Sequence, residues 1–118
     1  MTVRECYEII GSFEEVSQRL PGEDFIARMA KKFLDDGSMD LLRDSVAKGD
    51  VKEAFRAAHT LKGVCGNLSF TKLGESSTIL TDAMRDKESL SEVANLDELL
   101  AKVEEDYKLT VEAIGQLQ

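Results

Sequence analysis

His59 is the only histidine in the chain, and its neighbours are of kinds that matter to an imidazole. Lys62 and Gly63 follow it by three and four residues and Gly66 by seven; Arg56 and Lys52 precede it by three and seven. A neutral imidazole nitrogen is a good nucleophile near neutral pH. A phosphoryl group accepted there would be strongly anionic, on a chain whose formal net charge is already -8. It would need local positive charge. Lys62, one helical turn away, is placed to supply it, with Arg56 and Lys52 behind. Gly63 and Gly66 also need a reason, because glycine inside a helix costs about 1 kcal/mol relative to alanine. Either a neighbouring helix packs closely against them, or the backbone of a partner approaches the histidine across them.

The element that must position these residues is the clearest amphipathic helix in the sequence. Val51, Ala54, Phe55, Ala58, Leu61, Cys65 and Leu68 recur at spacings of three and four. Asp50 is a good N-cap, and Glu53 completes a capping-box pattern. At about 100° per residue, His59 falls about 115° from the centre of the apolar face, so its ring belongs on a flank open to solvent. Cys65 lies on the apolar stripe and reads as core, and Cys6 reads the same way. Asn67 either holds the helix end or touches a partner, and its spacing to His59 favours the first.

Around this helix the pattern predicts others. Val3, Cys6 and Ile10 mark a short first helix, and Ser12 with Glu15 caps a second ending near Leu20, before the Pro21-Gly22 break. A helical stretch runs from about Glu23 to Lys48, with apolar positions Ile26, Met29, Ala30, Phe33, Leu34, Leu41, Leu42 and Val46. Asp36-Gly37-Ser38 interrupts it as either a kink or a break. A further helix is expected from Phe70 or Thr71 to Lys87, with Leu73, Ser77, Leu80 and Met84 inward. A last one, capped by Asn95 with Glu98, carries the stripe Leu96, Leu99, Leu100, Val103, Tyr107, Val111 and Ile114. Phe25, Phe33, Phe55 and Phe70 are expected in the core. The expected fold is all-α: a single domain over 1–118, with N-terminal capping helices at 1–20 and an antiparallel up-and-down four-helix bundle at 23–117.

Other chemistries lack their residues. There is no GxxxxGK[ST] loop and no GxGxxG fingerprint to cradle a nucleotide. A bundle di-iron site needs Glu-x-x-His pairs on two helices, whereas Arg56 stands three before His59 and no second histidine exists. One histidine and two dispersed cysteines are a poor zinc set, and clusters such as Asp35-Asp36 and Glu104-Glu105-Asp106 read as solvated helix faces. A charge of -8 disfavours nucleic acid and anionic membrane surfaces as partners. The N-terminus has no apolar signal core and no apolar run spans a bilayer, so the cytoplasm is the expected compartment, with both cysteines reduced.

The segment Ala57-Ala58-His59-Thr60-Leu61-Lys62-Gly63-Val64-Cys65-Gly66-Asn67-Leu68 resembles the signature of the histidine-phosphotransfer (HPt) domain, whose core is H-x-x-K-G. The upstream Ala47-Lys48-Gly49-Asp50 turn, Phe33-Leu34-Asp35-Asp36 and Leu73-Gly74-Glu75 resemble the family too, so the likeness covers nearly the whole chain. One departure stands out: the family commonly has glycine ten residues after the histidine, where this chain has Ser69. The resemblance implies that His59 is the phosphoacceptor, that Lys62 orients and neutralises the phosphoryl group, and that Gly63 admits the partner's active site. It implies exchange with response-regulator receiver domains, which carry the group on an aspartate, and a hybrid sensor histidine kinase upstream. The Mg²⁺ for transfer would belong to the receiver, so this chain is expected to need no cofactor or metal. It is expected to be a monomer and a phosphoryl carrier rather than an enzyme with its own ATP site.

Three readings compete. The leading one is a phosphorelay intermediate. A close variant is a substrate domain phosphorylated directly by a kinase domain on another chain, as in chemotaxis kinases. The third is a helical adaptor that binds a protein partner without phosphate. Met1 gives a free-standing protein as the expectation, with a piece of a larger kinase left open. Apolar residues near His59 divide between the core and a patch for the receiver's first helix.

Overall fold

Capping side chains set several of the helix starts. Thr2 and Glu5 form a full capping box: Thr2 Oγ1 accepts from the Glu5 amide at 3.1 Å, and the Thr2 amide donates to Glu5 Oε1 at 2.9 Å. Ser12 accepts from the Glu15 amide at 3.2 Å and Asp50 from the Glu53 amide at 3.1 Å. These two are single caps, and the Glu53 carboxylate turns instead to Arg56. In the computed structural model, which describes residues 1–118, the helices are α1 Val3–Ile10, α2 Phe13–Arg19, α3 Glu23–Lys32, α4 Ser38–Ala47, α5 Val51–Leu68, α6 Thr71–Met84 and α7 Leu96–Gly115, and the caps just given start α1, α2 and α5. Short 3-10 turns lie at Phe33–Asp35 and Leu90–Glu92, and there is no strand.

The stretch from 23 to 48 is two helices. Asp36 adopts an extended conformation, and its Oδ2 accepts from the Ser38 amide at 2.9 Å, which ends one helix and opens the next. The 3-10 turn at Phe33–Asp35 swings Leu34 outward and the break resets the helical phase for Leu41, so neither joins Ile26, Ala30, Phe33 and Leu42 in the core. Two boundaries differ from the sequence expectation. α6 stops at Met84 rather than Lys87, because Arg85 is extended and Asp86 takes a left-handed conformation (φ 60°). Asn95 is left-handed as well (φ 57°) and makes no side-chain cap. An N-cap oxygen reaches the first-turn amides from extended backbone, so at Asn95 the residue serves the turn instead.

α5 is the centre of the molecule. It packs against α4 on one side and α6 on the other, α6 packs on α7, and α1 lies across α7. Ala54, Ala57, Ala58, Leu61, Cys65 and Leu68 of α5 are buried together with Leu73, Leu80 and Met84 of α6 and Val103, Ala113 and Ile114 of α7. Phe33 and Phe70 are core residues in edge-to-face contact. Phe25 and Phe55 are only half-buried, each with one face under a guanidinium, Arg28 and Arg85 respectively. Both cysteines are buried and free, and burial pushes the Cys65 thiol up to about 12.

Candidate functional site

His59 is exposed on α5, one residue past the Ala57-Ala58 pair that faces the core. The Phe55 ring, one turn earlier, stacks beside the imidazole at 6.0 Å between centroids and 28° between planes. Arg85, just past the end of α6, covers the same Phe55 ring at 5.2 Å, so the aromatic side of the histidine is fixed from two segments. Neither imidazole nitrogen is hydrogen-bonded within the chain, and both are open to an incoming group.

The cations around His59 are not equivalent. Arg56 is paired with Glu53, so much of its charge is already answered. Lys52 is exposed and Lys62 half-buried, and neither has a carboxylate partner. On a helix, residues three apart stand about 5–6 Å apart at Cβ, so Lys62 is the nearest uncommitted charge on this face. Spacing alone puts Arg56 and Lys52 together behind it; the Glu53 pairing removes Arg56 from the front of that set.

Gly63 and Gly66 give the sharpest observation. A Cβ built on either meets nothing within 4 Å. No neighbouring helix of this chain needs them to be glycine, so close packing within the molecule does not explain them. They leave a bare strip of helix running away from His59. On one side the strip borders a groove of about 510 Å³ lined in part by Lys62, Gly74, Glu75, Thr78 and Ile79. On the other, Val64 and Leu68 join Leu20, Met29 and Phe33 around an apolar groove of about 290 Å³, with Asn67 at its edge. The Asn67 side chain is exposed and makes no hydrogen bond within the chain, so it does not hold the helix end as its spacing suggests.

What does hold that end comes from the N-terminal helices. α5 finishes in a Schellman motif: the Phe70 amide reaches the Cys65 carbonyl at 2.9 Å and the Ser69 amide the Gly66 carbonyl at 3.3 Å. Ser69 occupies the left-handed position (φ 55°) that favours glycine, the residue the family pattern commonly has there. The remaining carbonyls are taken by residues before position 20. Arg19 donates to the carbonyls of Gly66 at 2.8 Å and Asn67 at 3.4 Å, and also to Ser69 Oγ. The buried Tyr7 hydroxyl donates to Leu68 O at 2.8 Å, and the Ser12 amide to Ser69 O at 3.1 Å. Burial raises the Tyr7 phenol well above its usual range, which keeps it a donor. None of these residues carries a local signal for its bond, because each bond spans some fifty or more positions of chain. Thr2 with Glu5 does carry one, in a spacing readable as a capping box.

A lone exposed histidine with a free lysine one turn on, set on the central helix of an all-helical domain, defines a class of protein. The model of the Hpt domain family matches residues 23–108, and the chain belongs to that family. No curated protein and no solved structure matches it. His59, Lys62 and Gly63 lie within the match, and α1 and α2 lie before it. No helix is long and apolar enough to cross a membrane, and no three histidine, cysteine or acidic side chains gather where they could hold a metal ion.

Proposed function

We propose that this chain is a phosphoryl carrier of a two-component phosphorelay, with His59 as the group that is phosphorylated. The observation that carries the reading is the empty space over Gly63 and Gly66 beside an unencumbered imidazole and an unpaired lysine. A partner's active site can come down on the helix there, where any larger side chain would hold it off. One imidazole nitrogen attacks the phosphorus of an aspartyl phosphate on a receiver domain while the other keeps its proton. A nitrogen–phosphorus bond forms, the phosphorus–oxygen bond to the aspartate breaks, and the carboxylate leaves. The same step in reverse loads the next receiver. Lys62 lies beside the developing charge and offsets the acidity of the chain. Transfer depends on bringing two groups into line, which a rigid helix face favours.

The apolar groove of Leu20, Met29, Phe33, Val64 and Leu68, about one and a half to two and a half turns past the histidine along α5, is the seat we assign to the receiver's first helix. The ATP chemistry belongs to a hybrid sensor histidine kinase, and the Mg²⁺ to the receiver. The four longer segments, α3 with α4, α5, α6 and α7, make the antiparallel bundle of a cytoplasmic, monomeric carrier that binds neither nucleic acid nor membrane. Incubation with a receiver domain radiolabelled on its aspartate tests the reading. Label that moves to this chain and proves acid-labile and base-stable is the expected result. Label that stays on the receiver, or arrives in an acid-stable linkage, contradicts it.

A further inference from the structure

The end of α5 that carries the bare strip is not held by α5 itself. Two glycines in its last six residues make it a poor helix, and its terminal carbonyls have no intrahelical donors. The carbonyls of Asn67 and Leu68 are served only by Arg19 and Tyr7, and that of Gly66 is shared between Ser69 and Arg19. Arg19 also brings a positive charge to the negative end of the helix dipole. Gly11 seals the joint, since a Cβ there would overlap the Ser69 carbonyl. The next residue after Arg19 is Leu20, which lines the apolar groove opposite Val64 and Leu68. Arg19 therefore ties the Leu20 corner of that groove to its α5 wall, while the facing wall, Met29, Lys32, Phe33 and Asp36, comes from α3 and the turn after it. The whole arrangement depends on residues before the part of the chain that matches the family.

We infer that Arg19 is a positioning residue for phosphotransfer: by clamping the carbonyl end of α5 to the end of α2, it sets the shape of the surface on which the receiver docks. The inference rests on the phosphotransfer reading. Gly66 is seven residues from His59, about 10 Å along the axis. A partner that covers about 800 Å² of surface around His59 reaches it. The chemical step involves His59 and Lys62, neither of which touches Arg19. Loss of the clamp therefore weakens docking and leaves the reaction of the docked pair alone.

The test measures initial rates of transfer from a phosphorylated receiver domain to the full chain over a range of receiver concentrations, in the wild type, Arg19→Ala and Arg19→Lys. Amide hydrogen exchange of residues 66–70 is followed in the same proteins. Arg19→Ala is expected to raise the half-saturating receiver concentration about three- to tenfold and to speed exchange at 66–70, with the maximal rate unchanged. Arg19→Lys, which keeps the charge and part of the bonding, is expected to fall between. An unchanged half-saturating concentration in Arg19→Ala overturns the inference even if exchange quickens, because the clamp is then structural only. A fall in maximal rate at constant half-saturation overturns it too. If Arg19→Ala does not fold, Arg19→Lys carries the same two outcomes. A wild-type chain that takes no label overturns the phosphotransfer reading and this inference together; label uptake indifferent to Arg19 overturns this one alone.

Discussion

Gly11 and Gly63 are the same residue used for opposite ends. At Gly11 the neighbouring backbone is so close that a Cβ would overlap the Ser69 oxygen and lie 2.9 Å from its carbon. At Gly63 the same Cβ would meet nothing within 4 Å. The first glycine is needed by the fold, where α1 closes onto the end of α5. The second is needed by nothing in this molecule and even weakens its own helix. Two demands thus meet on one helix: the carbonyls at its end are locked by the N-terminal segment, and the outward face of that same half, from His59 to Gly63 and Gly66, is left bare.

Substitutions can break that contrast. Gly63→Leu is expected to fold at least as stably as the wild type and yet to lose about a hundredfold in transfer from a phosphorylated receiver, since a displaced partner loses its alignment. Wild-type transfer in that variant would count against close approach. Gly11→Ala is expected to destabilise the fold by about 2 kcal/mol, read as a lower urea midpoint, because backbone must move to admit the methyl group. An unchanged midpoint would mean that the joint between α1 and α5 is looser than its contacts imply. Lys62→Ala should fold normally and transfer about tenfold more slowly, reflecting one lost charge on an open surface. Unchanged rates would remove Lys62 from the mechanism. The smallest effect is at Gly66→Ala, expected to raise stability by about 1 kcal/mol in thermal or urea unfolding because the methyl group points into open space. A loss of stability there would mean that the strip is packed after all.

Much of this contrast is legible in the order of the residues. The three-and-four spacing from Val51 to Leu68, with Asp50 as its cap, marks α5, and the helical wheel puts His59 outside. Periodicity reports local backbone and burial, so it serves well wherever one helix meets one core. It fails where the helical geometry changes, as at Leu34 in the 3-10 turn and Leu41 past the Asp36 break. Asn95 misleads because asparagine suits both an N-cap and a left-handed turn, and only tertiary context chooses between them. The two meanings of glycine cannot be told apart at Gly63 from sequence, because the answer lies in the empty space beside it. The Arg19 clamp is invisible for a different reason: its partners are 47 to 50 residues away, and an arginine at the end of an exposed short helix is otherwise ordinary.

The proposed phosphotransfer comes down to one bond, between phosphorus and an imidazole nitrogen of His59. The direct measurement is label transfer from a phosphorylated receiver to the His59→Gln variant, run beside the wild type with folding checked by circular dichroism. Glutamine keeps a polar, helix-compatible side chain and removes the nucleophile. The expected result is a folded variant that takes up no acid-labile, base-stable label while the wild type does. Equal labelling of the two would contradict a carrier role for His59, because the chain has no other histidine to hold the group.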